Sequence, residues 1–255
     1  MSVANKAFQI LGGVACPAGQ GAEDKDRMRC LLGEDVLGTI GRPVDIARSM
    51  PVFLQGDIAS HFYRVESGAV RRCRLLADGR RQVTGFYFPG DIFALGDSGV
   101  YLDDAEAICD ALVLQVGHAE LEQMDIGQSC LAQRLLGQTR RELREAQELM
   151  LMLGRASVRQ RMAWFLVSMA SRLGRVGRLM PVFELPMARI DIADYLGLTP
   201  ETVSRILGEL KREGVIAVPT TQRIVISDEA ALRQMVEDMP SIMTECGFTP
   251  SRARA

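Results

Sequence analysis

The chain has 255 residues, of which 47% are hydrophobic and 24% charged, and its formal net charge is -2. This composition excludes collagen-like and disordered classes, and the length favours two globular domains. Because no apolar run is long enough to span a bilayer and no signal-peptide pattern opens the sequence, we expect a cytoplasmic protein without a membrane partner.

The first part of the sequence predicts an arm followed by a β-domain. Residues 1–30 show no sustained hydrophobic period and are interpreted as an N-terminal arm, mobile or loosely docked. Residues 31–125 are assigned to a sensor-like β-roll, because short apolar runs alternate with glycines from about Val36 to Val116. The segment ADGR predicts a hairpin turn at Asp78 and Gly79. Regular turns of this kind are typical of a small antiparallel barrel or jelly roll.

Residues 126–154 predict one long helix, since IGQSCLAQRLLGQTRRELREAQELMLMLG contains no proline. Small and apolar residues recur there at spacings of four and three, which is typical of the seam of a two-stranded coiled coil. The predicted homodimer interface consists of Ala132, Leu136, Thr139, Leu143, Ala146, Met150 and Leu153. The alternative is a helix that packs only on its own barrel, for which Leu135, Leu149 and Met152 lie off the seam.

Residues 155–255 predict a DNA-binding domain with a C-terminal tail. Its first helix begins with Ser157 and Gln160 in capping-box spacing, and Gly174 can end it. A strand (VFELP), two helices (ARIDIADYLG and TPETVSRILGELKREG), a hairpin (VIAVPTTQRIVIS) and a helix from Asp228 follow. The predicted fold class is therefore α+β, with an N-terminal antiparallel β-roll (jelly roll), a long dimerisation helix and a C-terminal winged helix-turn-helix.

The segment DIADYLGLTPETVSRIL predicts two short helices joined by a sharp turn. Gly197 permits the turn, Thr199 can cap the second helix, and Pro200 suits its first turn. The residues expected to pack inward are Ile192, Leu196, Leu198, Val203, Ile206, Leu207 and Leu210.

The opposite face of the second helix carries Glu201, Ser204 and Arg205, spaced so that all three point outward together. Arg can bind guanine bidentately, Glu can accept from cytosine N4, and Ser can meet a base or a phosphate. Lys and Arg also outnumber Asp and Glu between Arg155 and Arg233. The predicted DNA-binding residues are Glu201, Ser204, Arg205, Thr199, Thr202 and Arg212, with Arg212 assigned to phosphate.

These motifs resemble the Crp/Fnr superfamily of bacterial transcription regulators. IADYLGLTPETVSRILGELKREGVI is similar to the DNA-binding motif of its FNR and FixK branches, and SGAVR and FYFPGD are similar to its β-roll. The likeness extends from about Val36 to Met239. It implies a homodimer on palindromic double-stranded DNA, with RNA polymerase as a further partner. Glu201, Ser204 and Arg205 match the E-x-x-S-R pattern of these branches, which implies TTGA-type half-sites.

Departures from the superfamily's sensory patterns predict a regulator without a cofactor. Cyclic-nucleotide binders carry an Arg beside Ser or Thr that grips the phosphate, whereas Asp103 and Asp104 lie near that place here. Carboxylates there would repel a phosphate. FNR proper holds an iron–sulfur cluster through closely spaced cysteines, and Leu114 stands where its roll ligand would be.

The cysteines of this chain are Cys16, Cys30, Cys73, Cys109, Cys130 and Cys246, with no C-x-x-C pair among them. We interpret them as small buried hydrophobes in a reducing compartment, and we predict no metal site. The alternative is an oxygen- or redox-sensing regulator with an iron–sulfur cluster, if Cys16, Cys30 and Cys109 converge in space.

The two histidines, His61 and His118, are interpreted as turn or surface residues rather than haem ligands. A FixK-like regulator with no cofactor is favoured, and Ala146 fits it because no buried charge on the seam opposes pairing. A jelly-roll metalloenzyme is the alternative from another class, but it would need a close ligand set, so we predict no catalytic residues. A nucleotide-gated module without DNA activity would leave the Glu201, Ser204 and Arg205 face unexplained.

Overall fold

The computed structural model describes residues 35–96, 99–122, 130–174 and 182–237. The predicted arm and the tail after Glu237 lie outside these ranges, as do Cys16, Cys30 and Cys246 and the side chain of Cys130. Among the described helices, none combines the length and the apolar character needed to cross a bilayer.

Eight strands of the described residues form the N-terminal domain. They are β1 (Arg42–Ile46), β2 (Pro51–Phe53), β3 (His61–Ser67), β4 (Val70–Leu75), β5 (Arg81–Tyr87), β6 (Ile92–Phe93), β7 (Asp104–Ala107) and β8 (Ala111–Gly117). They pair antiparallel into two sheets, with strand orders β1-β8-β3-β6 and β2-β7-β4-β5. Aromatic rings fill the space inside, where the centroids of Phe53 and Tyr101 lie 3.7 Å apart. The predicted antiparallel roll is confirmed.

The hairpin between β4 and β5 turns at the predicted residues. Gly79 has φ +82°, which a residue with a side chain rarely adopts. The backbone N–H of Arg80 donates to the Asp78 carboxylate at 3.0 Å. Leu75 and Arg81 are paired across the turn, so β5 runs back along β4.

The prediction that the chain is β-structure from Val36 onward is wrong at its beginning. Helix α1 (Val36–Ile40) precedes β1, and its Leu37 is buried in a cluster with Phe62 and Leu114 of the roll. The helix has five residues, too few to show a helical period, so contact with the roll decides its conformation. A second short helix, α2 (His118–Glu122), follows β8 and begins with His118.

The predicted long helix is confirmed as α3 (Cys130–Arg155), which has 26 residues and follows the roll in the chain. Tyr87 ties it to the roll, because its hydroxyl donates to Glu142 at 2.7 Å. The residues noted as lying off the seam, Leu135, Leu149 and Met152, are buried against the helix's own chain. One face of α3 therefore packs within the protomer, as the alternative interpretation required.

Helix α4 (Val158–Leu173) opens the C-terminal domain with the predicted capping box. The Gln160 N–H donates to Ser157 Oγ at 3.3 Å, and the Ser157 N–H donates to Gln160 Oε1 at 2.9 Å. The remaining elements are β9 (Val182–Glu184), α5 (Arg189–Leu196), α6 (Pro200–Arg212), β10 (Ile216–Ala217), β11 (Arg223–Ile226) and α7 (Glu229–Glu237). Strands β10, β11 and β9 form an antiparallel sheet beside the helices, so the winged helix-turn-helix is confirmed.

The roll and the winged domain share one hydrophobic core. Its members come from the roll (Cys73, Val83, Phe86) and from the C-terminal helices (Trp164, Phe165, Tyr195). The ring centroids of Phe86 and Tyr195 lie 5.1 Å apart across the boundary. The β-roll therefore packs directly on the helices that carry the candidate interface.

Candidate nucleic-acid interface

The turn between α5 and α6 has the geometry that its sequence predicts. Gly197 adopts the left-handed conformation at φ +63°, and the N–H of Leu198 donates back to Ala193 at 2.9 Å. Thr199 Oγ1 accepts from the Thr202 N–H at 3.3 Å, and Pro200 occupies the first turn of α6. The start of α6 is thus held by a left-handed glycine and a side-chain cap.

The inner face of α6 holds it against the domain core. Val203, Ile206, Leu207 and Leu210 are all buried, and Leu198 of the preceding turn is half-buried. Burial of an aliphatic side chain of this size stabilises the fold by about 1.5–3 kcal/mol. The inward-facing residues were therefore predicted correctly, and their burial sets which face of α6 remains outside.

The outer face of α6 presents the predicted polar triplet, because Glu201, Ser204 and Arg205 are all exposed. Ser204 Oγ donates to the Pro200 carbonyl at 2.9 Å, which leaves its oxygen free to accept. The Arg205 side chain is 61% exposed and places Nη1 2.8 Å from Glu209 Oε1. The three side chains together offer hydrogen-bond donors and acceptors on one exposed helix face.

Glu201 is held in its charged form at the helix N-terminus. Its own backbone N–H and the Thr199 hydroxyl hydrogen-bond its carboxylate and lower the pKa of Glu201. A carboxylate in this state is an acceptor of the kind that cytosine N4 requires. Thr199 therefore both caps α6 and hydrogen-bonds Glu201 on the exposed face of this helix.

The remaining predicted contacts, Thr202 and Arg212, are less central to this face. Thr202 is half-buried, and its hydroxyl lies 3.1 Å from that of Thr199. Arg212 is exposed in the last turn of α6, about 10 Å along the helix axis from Arg205 at 1.5 Å per residue. Arg212 therefore lies about two helical turns from the triplet, at the other end of α6.

The hairpin of β10 and β11 adds polar groups that the sequence analysis did not assign. Thr220, Thr221 and Arg223 are exposed at its tip, and Arg189 of α5 donates to the Thr221 carbonyl at 2.8 Å. This hydrogen bond joins the wing to the N-terminal end of the helix-turn-helix. The polar run PTTQR between two apolar strands was the available signal for such a tip.

The seam of α3 is exposed over most of its predicted length. Leu136, Leu143 and Met150 are 50%, 59% and 66% exposed, at intervals of seven residues along one line. Thr139 and Ala146 are exposed between them, whereas Ala132 is half-buried. Exposed large apolar side chains in such a line are typical of an interface with another chain.

Leu153 departs from the predicted seam. It is half-buried against the core that the two domains share, and a Cβ placed on Gly197 would lie 3.3 Å from its Cδ2. The exposed line therefore ends at Met150. Helix α3 ends at Arg155, and Leu153 in its last turn packs on the shared core, to which α5 also contributes.

The described residues bring no metal-binding group together, since no cluster of three or more His, Cys, Asp or Glu suited to a metal occurs among them. Burial raises the pKa of the Cys73 thiol to about 11, and Cys109 is half-buried. Leu114 is buried in the roll, as its apolar character suggests. His61 lies next to Ser60, with Nδ1 2.8 Å from Oγ, and His118 packs on Phe62.

The two carboxylates near the expected phosphate position are engaged within the roll. Asp103 is buried and accepts from Arg74 Nε at 2.7 Å and from Thr84 Oγ1 at 3.0 Å. Asp104 accepts from the Gln55 N–H at 2.7 Å. The expectation that carboxylates near this place would repel a phosphate stays a prediction, and in the structure Asp103 is paired with Arg74.

Two family models match this chain. The model of the Crp-like helix-turn-helix domain matches residues 160–235, and that of the cyclic nucleotide-binding domain matches residues 44–125. The first covers the whole helix-turn-helix with its wing, and the second covers the β-roll.

Named relatives align along most of the chain. It is 37% identical over 201 residues to the nitrogen fixation regulation protein FixK of Azorhizobium caulinodans, covering 78% of this chain and 81% of the relative. It is 40% identical over 184 residues to FixK of Rhizobium meliloti, covering 72% and 82%. The structure of FixK2 from Bradyrhizobium japonicum is similar with a TM-score of 0.71 and 37% identity, covering 77% of this chain and 97% of that one.

Proposed function

The chain belongs to the Crp/Fnr family of DNA-binding transcription regulators and is FixK-like, and from this premise we propose that it binds an inverted repeat of TTGA-type half-sites as a homodimer without an obligatory cofactor. Members of this family are regulators, not enzymes. We further propose that it acts in the cytoplasm and contacts RNA polymerase.

The single observation that carries the proposal is the exposed face of α6. Glu201, Ser204 and Arg205 project from the N-terminal half of a helix whose opposite side is buried. In helix-turn-helix proteins this half of the second helix enters the major groove and contacts base edges. The guanidinium of Arg205 suits guanine O6 and N7, and the charged Glu201 suits cytosine N4. A TTGA half-site and its complement supply both kinds of base.

The exposed line on α3 supports the dimer. Leu136, Leu143 and Met150 would meet the same residues of a second copy and bury the largest exposed apolar side chains of the helix. A two-fold symmetric dimer presents two copies of α6 to successive major grooves, about 34 Å apart. A palindromic operator is the DNA that matches this symmetry.

Independence from a cofactor is supported by how the roll uses its own polar groups. Arg74 and Thr84 are committed to Asp103, in the region where a cyclic phosphate would need an arginine. Cys73 is buried in the core that the two domains share, and burial raises the pKa of its thiol to about 11, so forming the thiolate that a metal binds costs more there than in water.

A binding titration tests the proposed function. Purified protein is added to a fluorescent duplex carrying a TTGA palindrome, and to a duplex of equal length with both half-sites scrambled. We expect saturable binding of two chains to the palindrome and binding of the scrambled duplex that is weaker by about a thousandfold or more at the same salt concentration. Equal affinity for the two duplexes would contradict sequence-specific recognition.

A further inference from the structure

A buried carboxylate of the helix-turn-helix takes its charged partners from the β-roll. Asp191, the third residue of α5, is 2% exposed. Its Oδ1 accepts from Arg71 Nη1 of β4 at 3.0 Å and from Arg81 Nη2 of β5 at 2.7 Å. Its Oδ2 accepts from the Ala188 N–H at 3.1 Å and so caps α5. Oδ2 thus caps α5, whereas Oδ1 links the helix-turn-helix to the β-roll.

The contact continues along α5. Arg81 Nε donates to Asp194 at 2.8 Å, one turn beyond Asp191. The Gln82 amide lies 3.4 Å from the Tyr195 carbonyl, so β5 follows α5 toward its C-terminal end. Arg71 is itself oriented by Glu106 of β7, whose carboxylate lies 2.6 Å from Nη2. We call the set Arg71, Arg81, Asp191 and Asp194 the interdomain clamp.

The far end of α5 is fixed to the dimerisation helix. Arg161 of α4 donates to the Leu196 carbonyl at 3.1 Å, and to the Leu153 carbonyl of α3 at 2.9 Å. Gly197 and the recognition helix α6 follow directly. Helix α5 is therefore held by the roll at its N-terminal end and by the end of α3 at its C-terminal end, and its position determines that of α6.

The clamp resists displacement for an electrostatic reason. A carboxylate that is almost wholly removed from water is costly without its partners, so Asp191 cannot leave Arg71 and Arg81 without being solvated again. The charge-assisted hydrogen bonds of the clamp add directional constraints on α5 to the packing of the shared core.

We propose that Arg71 and Arg81 are positioning residues for DNA binding, which fix α5 and α6 relative to the dimerisation helix and so set the separation of the two recognition helices. The inference rests on the proposed dimeric function. The β-roll then contributes to DNA recognition without a bound ligand, because Arg71 and Arg81 hold α5 and α6 in place relative to the dimerisation helix.

The test is a scan of operator spacing. Palindromes whose two half-sites are separated by the optimal spacer, by one base pair fewer and by one base pair more are titrated with wild-type protein and with Arg71→Met/Arg81→Met. The matched control is Arg80→Met, because Arg80 belongs to the same hairpin and, among the residues that the structure describes, forms its ion pair with the exposed Asp78 two positions away. A duplex with a single half-site reports the contact of one recognition helix alone.

We expect wild-type and Arg80→Met to prefer one spacer sharply. The double variant should lose about tenfold in affinity at that spacer, lose the preference between spacers, and keep its affinity for the single half-site. A merely structural role would lower affinity for all duplexes alike. Arg81→Lys, which keeps a charge for Asp191, should recover part of the spacer preference.

The outcomes that overturn the inference are equally specific. An unchanged spacer profile in the double variant would show that packing alone positions α6, and tighter binding would show that the clamp opposes DNA binding. Failure of the wild-type protein to bind any palindrome would instead count against the proposed function. If sedimentation and circular dichroism show that the double variant is unfolded, the single variant Arg81→Gln is used in its place, because the Arg81 side chain is 27% exposed.

Discussion

Arg205 and Glu209 form an ion pair along the exposed edge of α6, with Arg205 Nη1 2.8 Å from Glu209 Oε1. Exposed pairs of this spacing contribute only about 0.3–0.5 kcal/mol to stability. The guanidinium can therefore turn to another partner at little cost. The pair also leaves Nε and Nη2 of Arg205 available as donors in this arrangement.

We predict that Arg205→Ala lowers the affinity for the TTGA palindrome by about 1–3 kcal/mol, because a bidentate contact to guanine is lost. The fold should be unchanged, since the side chain is exposed. Fluorescence anisotropy measures the affinity, and thermal unfolding checks the fold. Arg233→Ala is the matched control, because Arg233 pairs with Glu229 at the same spacing on α7. Equal affinities of the two variants would contradict the assignment.

Arg212→Ala should behave differently, because Arg212 is exposed at the end of α6 away from the triplet. If it contacts a phosphate, binding to specific and scrambled DNA should weaken alike. The plot of log affinity against log salt concentration should then flatten by about one unit of slope per recognition helix. Titrations at four salt concentrations measure this slope. A loss confined to one base position of the operator would assign Arg212 to base reading instead.

Leu143→Glu should convert the dimer into a monomer. Leu143 is 59% exposed at the middle of the line on α3, and two carboxylates would face each other across an apolar seam. Sedimentation velocity measures the change, and affinity for the palindrome should fall with it. Gln147→Glu adds the same charge at an exposed position beside the line and should leave the dimer intact. A dimeric Leu143→Glu protein would place the interface elsewhere.

Glu201 should titrate below an ordinary glutamate in the free protein. Its own backbone N–H and the Thr199 hydroxyl lower the pKa of Glu201. These hydrogen bonds to the carboxylate therefore stabilise the folded protein above the unfolded-state pKa, and this contribution is lost as the pH falls through the folded-state pKa. Thr199→Ala should raise the pKa of Glu201, because one of these hydrogen bonds is removed. NMR titration of the side-chain carboxyl carbon follows both proteins. The same midpoint in both would exclude a contribution from the Thr199 hydroxyl.

Local chemistry made much of the DNA-binding domain predictable. Gly197, Thr199 and Pro200 each satisfy a backbone requirement within a few residues of themselves, so their roles are legible in the sequence. The exposed face of α6 followed from the period of the apolar residues that oppose it. The same holds for the hairpin turn at Gly79.

Contacts between distant segments were not predictable in this way. No sequence pattern assigned a role to Asp191, and its partners Arg71 and Arg81 lie 120 and 110 residues away. Leu153 fitted the seam by spacing, but the turn into α4 directs it to the core of its own chain. Helix α1 depends on burial of Leu37 against the roll, which no local pattern indicates.

Binding of the palindrome by protein without any cofactor tests the central claim most directly. The protein is purified anaerobically, its iron, sulfide and nucleotide contents are determined, and its affinity for the TTGA palindrome is measured before and after exposure to air. We predict no stoichiometric iron, sulfide or nucleotide, and the same tight, sequence-specific binding in both states. Stoichiometric iron and sulfide with binding lost in air, or binding that appears only when a cyclic nucleotide is added, would contradict the account.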